Sequence, residues 1–387
     1  GKPKVEGFPG VVCAKRGERK PPRPYPFFLA SPIEIKLKPG ETLPGAFGEI
    51  AEWQFEWKWD GIRAQLIHRN SETCIWSRGD EMVTDSFPEL EEAGNLLPNG
   101  TVLDGEIVAW RNNAPLPFAH LQRRLGRRNV AERIREEFPV TFLAYDLLEL
   151  DGTDLRNLPL TERRTRLEQL IETTKKKTIA RQPSIQQSSF NLFGDEEETG
   201  KPTIPLQLSP RVHATSWEEL ESLQNQSRER GVEGLMFKRN SSTYGTGRTR
   251  GDWWKWKIEP FHIDAVLIYA QRGSGRRASL YTDYTFGLWE SGKLVPVAKA
   301  YSGLTDAEIR RVDAFVRNNT LDKHGPVRIV KPELVFELAF EGIQESTRHK
   351  AGIALRFPRM HRWREDKKPD EADTIETLRA LLRSTRG

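Results

Sequence analysis

The stretch Glu56-Trp57-Lys58-Trp59-Asp60-Gly61-Ile62-Arg63 reads as a strand, a sharp turn and a second strand. Aromatic and apolar residues alternate with polar ones as far as Trp59, Gly61 breaks the run, and a new segment starts at Ile62. Lys58 is thereby held at a corner. A free lysine titrates at about 10.4, so only about one in a thousand is neutral near physiological pH. Lys58 can become a nucleophile only if nearby cations or a metal depress that value. Without them the corner reads as a surface hairpin carrying a solvated lysine.

Outward from the corner, strand and helix signals mix. Segments 54–57, 64–69, 74–78, 102–110, 141–148 and 234–238 are rich in β-branched and aromatic residues and predict strands. Segments 118–128, 160–173 and 217–230 predict helices, the last opened by Ser216 with Glu219 three residues on and stopped by Gly231. Between them, 174–206 holds a Lys triplet, an acidic run and scattered Pro, and predicts a flexible insertion. After Pro260 the pattern turns to strands at 262–271, 281–290, 294–300 and 333–340, with one helix at 306–318 behind a Thr305 cap. That content suits a small β-barrel of the oligonucleotide-binding (OB) kind. The expected organisation is a basic linker over 1–24, a mixed α/β (α+β) domain over 25–258, and an OB-fold domain over 260–387.

Composition sets limits on function. The 387 residues include 60 Lys+Arg against 55 Asp+Glu, a net charge of +5 that permits a nucleic-acid partner without requiring one. The longest apolar run, 265–270, is too short to span a bilayer, and no signal peptide opens the chain. Cys13 and Cys74 supply neither a disulfide framework nor a zinc site, and the histidines show no metal-ligand spacing. A soluble, cytoplasmic protein is expected. The chain starts without Met, as a processed product or a fragment would.

Further segments accompany the corner: Ser77-Arg78-Gly79, Leu103-Asp104-Gly105-Glu106, Phe142-Leu143-Ala144-Tyr145-Asp146, Val232-Glu233-Gly234-Leu235-Met236 and Trp254-Lys255-Trp256-Lys257. Arg356-Phe357-Pro358-Arg359 then runs into Arg362-Trp363-Arg364-Glu365-Asp366-Lys367. In this order, over about residues 25–370, they resemble the ATP-dependent DNA ligases, within the covalent nucleotidyltransferases that include RNA ligases and capping enzymes. The resemblance implies a nucleotidyltransferase domain and an OB-fold domain with nucleotide and DNA in the cleft between them. It implies AMP attachment at Lys58 in the Lys58-x-Asp60-Gly61 motif, with Mg2+ as cofactor. Glu106 would contact ribose or the metal, and Glu233 would help place the metal near the α-phosphate, as hard oxygen ligands do. Glu56 would read the adenine amino group, Tyr145 would stack on the base, and Arg63, Arg78 and Arg248 would meet nucleotide or 5′-phosphate. Lys255 and Lys257 alternate on one strand and so share a face, where they would clamp phosphate and lower the Lys58 value. Arg364, Asp366 and Lys367 would serve lysine adenylation, reaching ATP when the domains close.

Taken singly, Glu106 and Glu233 also read as solvent-facing carboxylates, Tyr145 as a core tyrosine and Arg248 as a loop arginine. The two Arg pairs at 123–124 and 127–128 crowd one predicted helix and could meet DNA backbone or simply face water. The expected partner is nicked duplex DNA, bound by a monomer. Larger relatives carry a helical DNA-binding domain ahead of this core, and the basic linker fits such a junction. Within the insertion, Phe190, Leu192 and Phe193 resemble the short peptides that dock on sliding clamps. RNA ligation or capping, or a non-catalytic OB-fold DNA-binding module, are the alternative functions.

Overall fold

The two strands flanking the Lys58 corner are Trp53–Trp57 and Ile62–Arg69, and they belong to different sheets. The corner is the link between them. The computed structural model describes residues 21–33, 47–181, 204–275 and 278–384. Residues 1–20 of the linker and the clamp-like peptide with Phe190, Leu192 and Phe193 lie outside the described residues. The chain divides into two units between Ile258 and Glu259.

In the first unit, one sheet runs in the order Ser31–Pro32, Trp253–Lys257, Gly234–Arg239, Trp53–Trp57, Arg211–Val212. Its alternation is strict. Phe55, Leu235 and Phe237 are buried with Trp217 and Leu220 of the helix Trp217–Asn225, while Gln54, Glu56, Met236, Lys238, Lys255 and Lys257 occupy the alternate positions. The second sheet is built on Glu72–Ser77, Ile62–Arg69, Thr101–Arg111 and Val140–Leu150, in that order. Its apolar side packs Leu66, Leu103 and Phe142 against Leu167 and Ile171 of the helix Leu160–Arg181. That helix is tied down by Arg163, which makes two bonds of 2.8 and 2.9 Å to the fully buried Asp146. A paired charge of this kind tolerates burial because every donor finds an acceptor.

The second unit is organised on one long strand, Phe261–Arg272. One edge pairs with Tyr281–Glu290; the other pairs first with Val335–Phe340 and then with Val327–Val330. A register shift between Leu267 and Tyr269 marks where the strand bends between these partners. The helix Asp306–Asn318 packs Val312 and Val316 into the core and opens with the full capping box, Thr305 with Glu308. Among the described residues no helix is long and apolar enough to cross a membrane.

Four expected boundaries move. The helix expected to stop at residue 173 continues to Arg181, because the Glu172–Lys176 ion pair (2.7 Å) and the buried Thr174 suit another two turns. The end of the expected insertion is also ordered: Leu206 is fully buried in a strand paired in parallel with Val140–Leu150. The helix expected over 118–128 shrinks to Ala119–Gln122. Arg124 turns inward there, donating to Phe138 O, Ser86 O and Glu89, and Gly126 takes φ +72°. Arg124 therefore cannot meet DNA backbone, whereas Arg123, Arg127 and Arg128 stay exposed. The helix expected over 217–230 ends at Asn225, and turns up to Gly231 carry the chain back to the corner. A further helix, Ile375–Ser384, beyond the expected elements, buries Ile375, Leu378 and Leu382.

Gly61 is set by contact, since a Cβ there would stand 2.3 Å from the Ile107 carbonyl oxygen and 2.7 Å from Glu106 Cγ. Gly61→Ala should therefore cost about 1–3 kcal/mol, a size typical of overpacking. A thermal melt would show this as a lower midpoint for the first unit, and an unchanged midpoint would contradict the packing account.

Candidate active site

Main-chain bonds bring the charged residues together. Lys58 N–H donates to Gly234 O (2.8 Å), and Glu233 N–H donates to Lys58 O (2.7 Å). Lys58 is thus locked beside Glu233, and its Nζ donates to Glu233 Oε2. Lys257, paired in register with Gly234, approaches the same oxygen at 3.7 Å. Lys255 lies near enough to feel Lys58, Arg248, Lys257 and Arg78; burial first, then these cations, hold its ammonium below the ordinary value. Such a crowd of cations is a ready phosphate site.

Glu106 enters from the opposing sheet, directly across from Arg63 and Leu143. Burial pushes its carboxyl up to about 8; Lys58 and Arg63 oppose the shift, and Glu233 and Asp104 add to it. A carboxyl left so short of compensating charge beside a second carboxylate fits a hard divalent cation, and Glu106 with Glu233 are the residues that would hold one.

The nucleotide-reading candidates are placed differently. Glu56 is 1% exposed and accepts from Gln54 Nε2 (2.6 Å) and, through both oxygens, from Lys238 Nζ (3.1 Å each). Lys238 Nζ in turn sits 4.1 Å from the Tyr145 ring centroid and 4.6 Å from that of Trp253. Tyr145 is itself buried, which raises its phenol well above the ordinary value. Arg63 pairs with Asp104 at 2.7 Å, and Asp104 also accepts from Tyr244 OH at 2.7 Å. Lys238, Asp104 and Tyr244 were not singled out in the sequence. Lys238 alone left a signal, since it shares a strand face with Met236, two places along from the Glu233-Gly234 motif. Arg78 and Arg248 are exposed, and Asp60 is part-buried at the turn. Beside the corner, Trp57, Trp59, Trp110, Leu143 and Arg230 line a cavity of about 650 Å3 that contains none of the clustered cations.

On the second unit, Arg364 donates to Asp264 Oδ2 (2.8 Å) and grips Asp366 through Nε and Nη2, while Lys367 reaches Asp264 Oδ2 at 2.6 Å. Arg364, Asp366 and Lys367 therefore form one network around Asp264. Arg364 pulls the Asp366 carboxyl below its ordinary range.

Known proteins share this arrangement of segments. Residues 43–257 match the family model described as ATP dependent DNA ligase domain, and residues 277–367 match the ATP dependent DNA ligase C terminal region. A probable DNA ligase of Koribacter versatilis is 39% identical over 361 residues, covering 93% of this chain and 60% of the relative. A DNA ligase of Thermococcus fumicolans is 32% identical over 383 residues, covering 98% of this chain and 62% of the relative. The chain thus spans about three-fifths of the length of these curated relatives. A solved structure from a structure–function study of Lig E DNA ligases superposes with a TM-score of 0.54 at 17% identity, covering 88% of this chain and all of that one. At that identity the likeness concerns the fold.

Glu106 also makes stability depend on pH. The folded, ligand-free protein keeps the proton up to about 8, whereas the ordinary carboxyl value is 4.5. Between those values the folded state binds the extra proton, so stability is highest at the acid end and falls as pH rises towards 8. Urea midpoints taken across this window should decline, and Glu106→Gln should flatten the decline. The same slope in the variant would refute the placement of that proton.

Proposed function

The chain belongs to the ATP-dependent DNA ligase family, and on that premise we propose that it seals nicks in duplex DNA through an AMP-linked Lys58. The observation that carries the proposal is the contact of Lys58 Nζ with Glu233 inside the cation cluster of Lys255, Lys257 and Arg248. A nucleophile, a proton acceptor and phosphate-binding charges converge there.

The chemistry follows from those positions. Glu233, in contact with Nζ, takes the Lys58 proton. The freed nitrogen pair attacks the α-phosphorus of ATP, an N–P bond forms, the bond to the bridging oxygen breaks, and pyrophosphate departs with the electron pair. Lys255 and Lys257 hold the phosphoryl oxygens and offset their charge. Mg2+, held by Glu106 and Glu233, supplies neutralisation of phosphate charge when bound. The 5′-phosphate of a nick then displaces Lys58 from the adenylyl phosphorus, and the 3′-hydroxyl attacks the activated 5′-phosphate, releasing AMP. Tyr145 and Glu56 are assigned to the adenine, and Arg63, Arg78 and Arg248 to nucleotide and 5′-phosphate. Lys238, which bonds Glu56 and covers Tyr145, positions both. Arg364 and Lys367, backed by Asp366, are assigned to the adenylation step.

Two experiments test this reading. Intact-mass measurement after incubation with ATP and Mg2+ should show one added AMP on the protein and none on Lys58→Ala; an undiminished adduct in the variant ends the assignment. Under single-turnover conditions, Arg364→Ala and Lys367→Ala should slow adenylation by at least about 100-fold, the size of a lost charge-stabilising donor, yet largely spare closure of a pre-adenylated nick. Equal losses in both steps would refute that division of labour.

A further inference from the structure

Away from the cation cluster, the second unit carries a group of side chains that the proposed ligation chemistry does not use. His262 lies on the strand Phe261–Arg272, Glu337 on Val335–Phe340 and His361 on Arg359–Trp363, three strands that are neighbours in one sheet. His262 Nδ1 is 2.8 Å and His361 Nε2 is 3.7 Å from the same oxygen, Glu337 Oε1. The imidazoles meet edge to face with centroids 4.8 Å apart. Among the described residues this is the one group of three whose ligand atoms all lie within 4.8 Å of one another.

We propose that His262, Glu337 and His361 bind a divalent metal of the zinc class, with water completing the tetrahedron. Two donors on a tetrahedral zinc stand roughly 3.3 Å apart, given bonds of about 2.0–2.1 Å. The observed 2.8 and 3.7 Å spacings bracket that figure, and the ring of His361, whose side chain is 55% exposed, is free to close the remainder. The carboxylate is already oriented for single-oxygen ligation. Arg362 Nη2 holds the other oxygen, Oε2, at 2.8 Å, leaving Oε1 to the imidazoles. Arg364, 3.9 Å from Oε2, adds a second positive charge that disfavours any dication held by charge alone. Selectivity therefore rests on the two imidazole nitrogens, which favour Zn2+ or Co2+ over Mg2+. Bound metal staples the strand that leads directly into Arg364-Glu365-Asp366-Lys367.

The test uses the full chain, stripped of metal and kept in excess Mg2+ so that the carboxylates near Lys58 do not compete. Titration with Zn2+ by calorimetry should show one equivalent bound, and Co2+ should develop the visible absorption of a tetrahedral site. His361→Ala and His262→Ala, both at partly exposed side chains, should weaken Zn2+ binding at least tenfold and abolish the Co2+ band, with circular dichroism confirming that each variant is folded. Absence of binding by the unaltered chain, or binding and spectrum unchanged in both folded variants, overturns the proposal. Ligase activity enters neither arm, so the outcome is independent of the assigned function.

Discussion

The corner at Lys58 is held by main chain, and the rest of the first unit depends on that. Lys58 and the Glu233-Gly234 pair exchange two backbone hydrogen bonds, which extend the ladder one residue beyond the strand Trp53–Trp57. On its other edge the same segment is approached closely by the strand Trp253–Lys257, and that closeness requires glycine. At Gly234, with φ +134°, a Cβ would lie 2.0 Å from Trp256 O. Gly61 permits the same intimacy on the other side, against Ile107. Three segments distant in sequence are thus forced into van der Waals contact, and the side chains of Lys58, Glu233 and Lys257 share one small volume as a consequence.

That geometry sets the electrostatic problem. The polar face of one sheet carries Glu56, Lys238, Lys255 and Lys257, and the other sheet contributes Arg63, Asp104, Glu106 and Tyr145. Charges are matched where burial is deepest. Glu56 with Lys238, Asp146 with Arg163 and Asp104 with Arg63 are pairs whose members satisfy one another. Removing one partner of such a pair costs about 3–5 kcal/mol, so they are constraints on shape as much as sources of stability. Matching fails at Glu106 and around Lys255, where both groups are driven towards their neutral forms. Unbalanced charge at the mouth of a balanced network is what a site for metal and phosphate requires.

The second unit uses a comparable economy around Asp264. Its Oδ2 accepts from both Arg364 and Lys367, and its backbone exchanges bonds with Asp373, Asp264 N–H to Asp373 Oδ2 and Asp373 N–H to Asp264 O. A carboxylate on the long bent strand therefore organises a motif about one hundred residues later in the chain. Neighbouring strands place His262, Glu337 and His361 by the same register that places Arg364.

The longer first-unit strands, the second-unit helix Asp306–Asn318 with its Thr305 cap and the chemical character of the Lys58 corner were legible in the sequence, because alternation, capping and glycine breaks are local signals. So was the pairing of Lys255 with Lys257 on one face, which needs only a strand's two-residue period. Helix ends were not: Arg124 ends its helix by folding into a pocket made by residues up to 38 positions away. Lys238 escaped for a similar reason, since the two-residue period puts it on the face of Met236 but does not say that a buried Glu56 and a tyrosine ring await it there. The histidines showed no ligand spacing along the chain, yet three-strand register sets two of them beside one carboxylate. Local periodicity determined which elements form and what chemistry they can carry; only long-range packing, which decides which charges lose their water and which partners they meet, determined the surroundings of each charged residue.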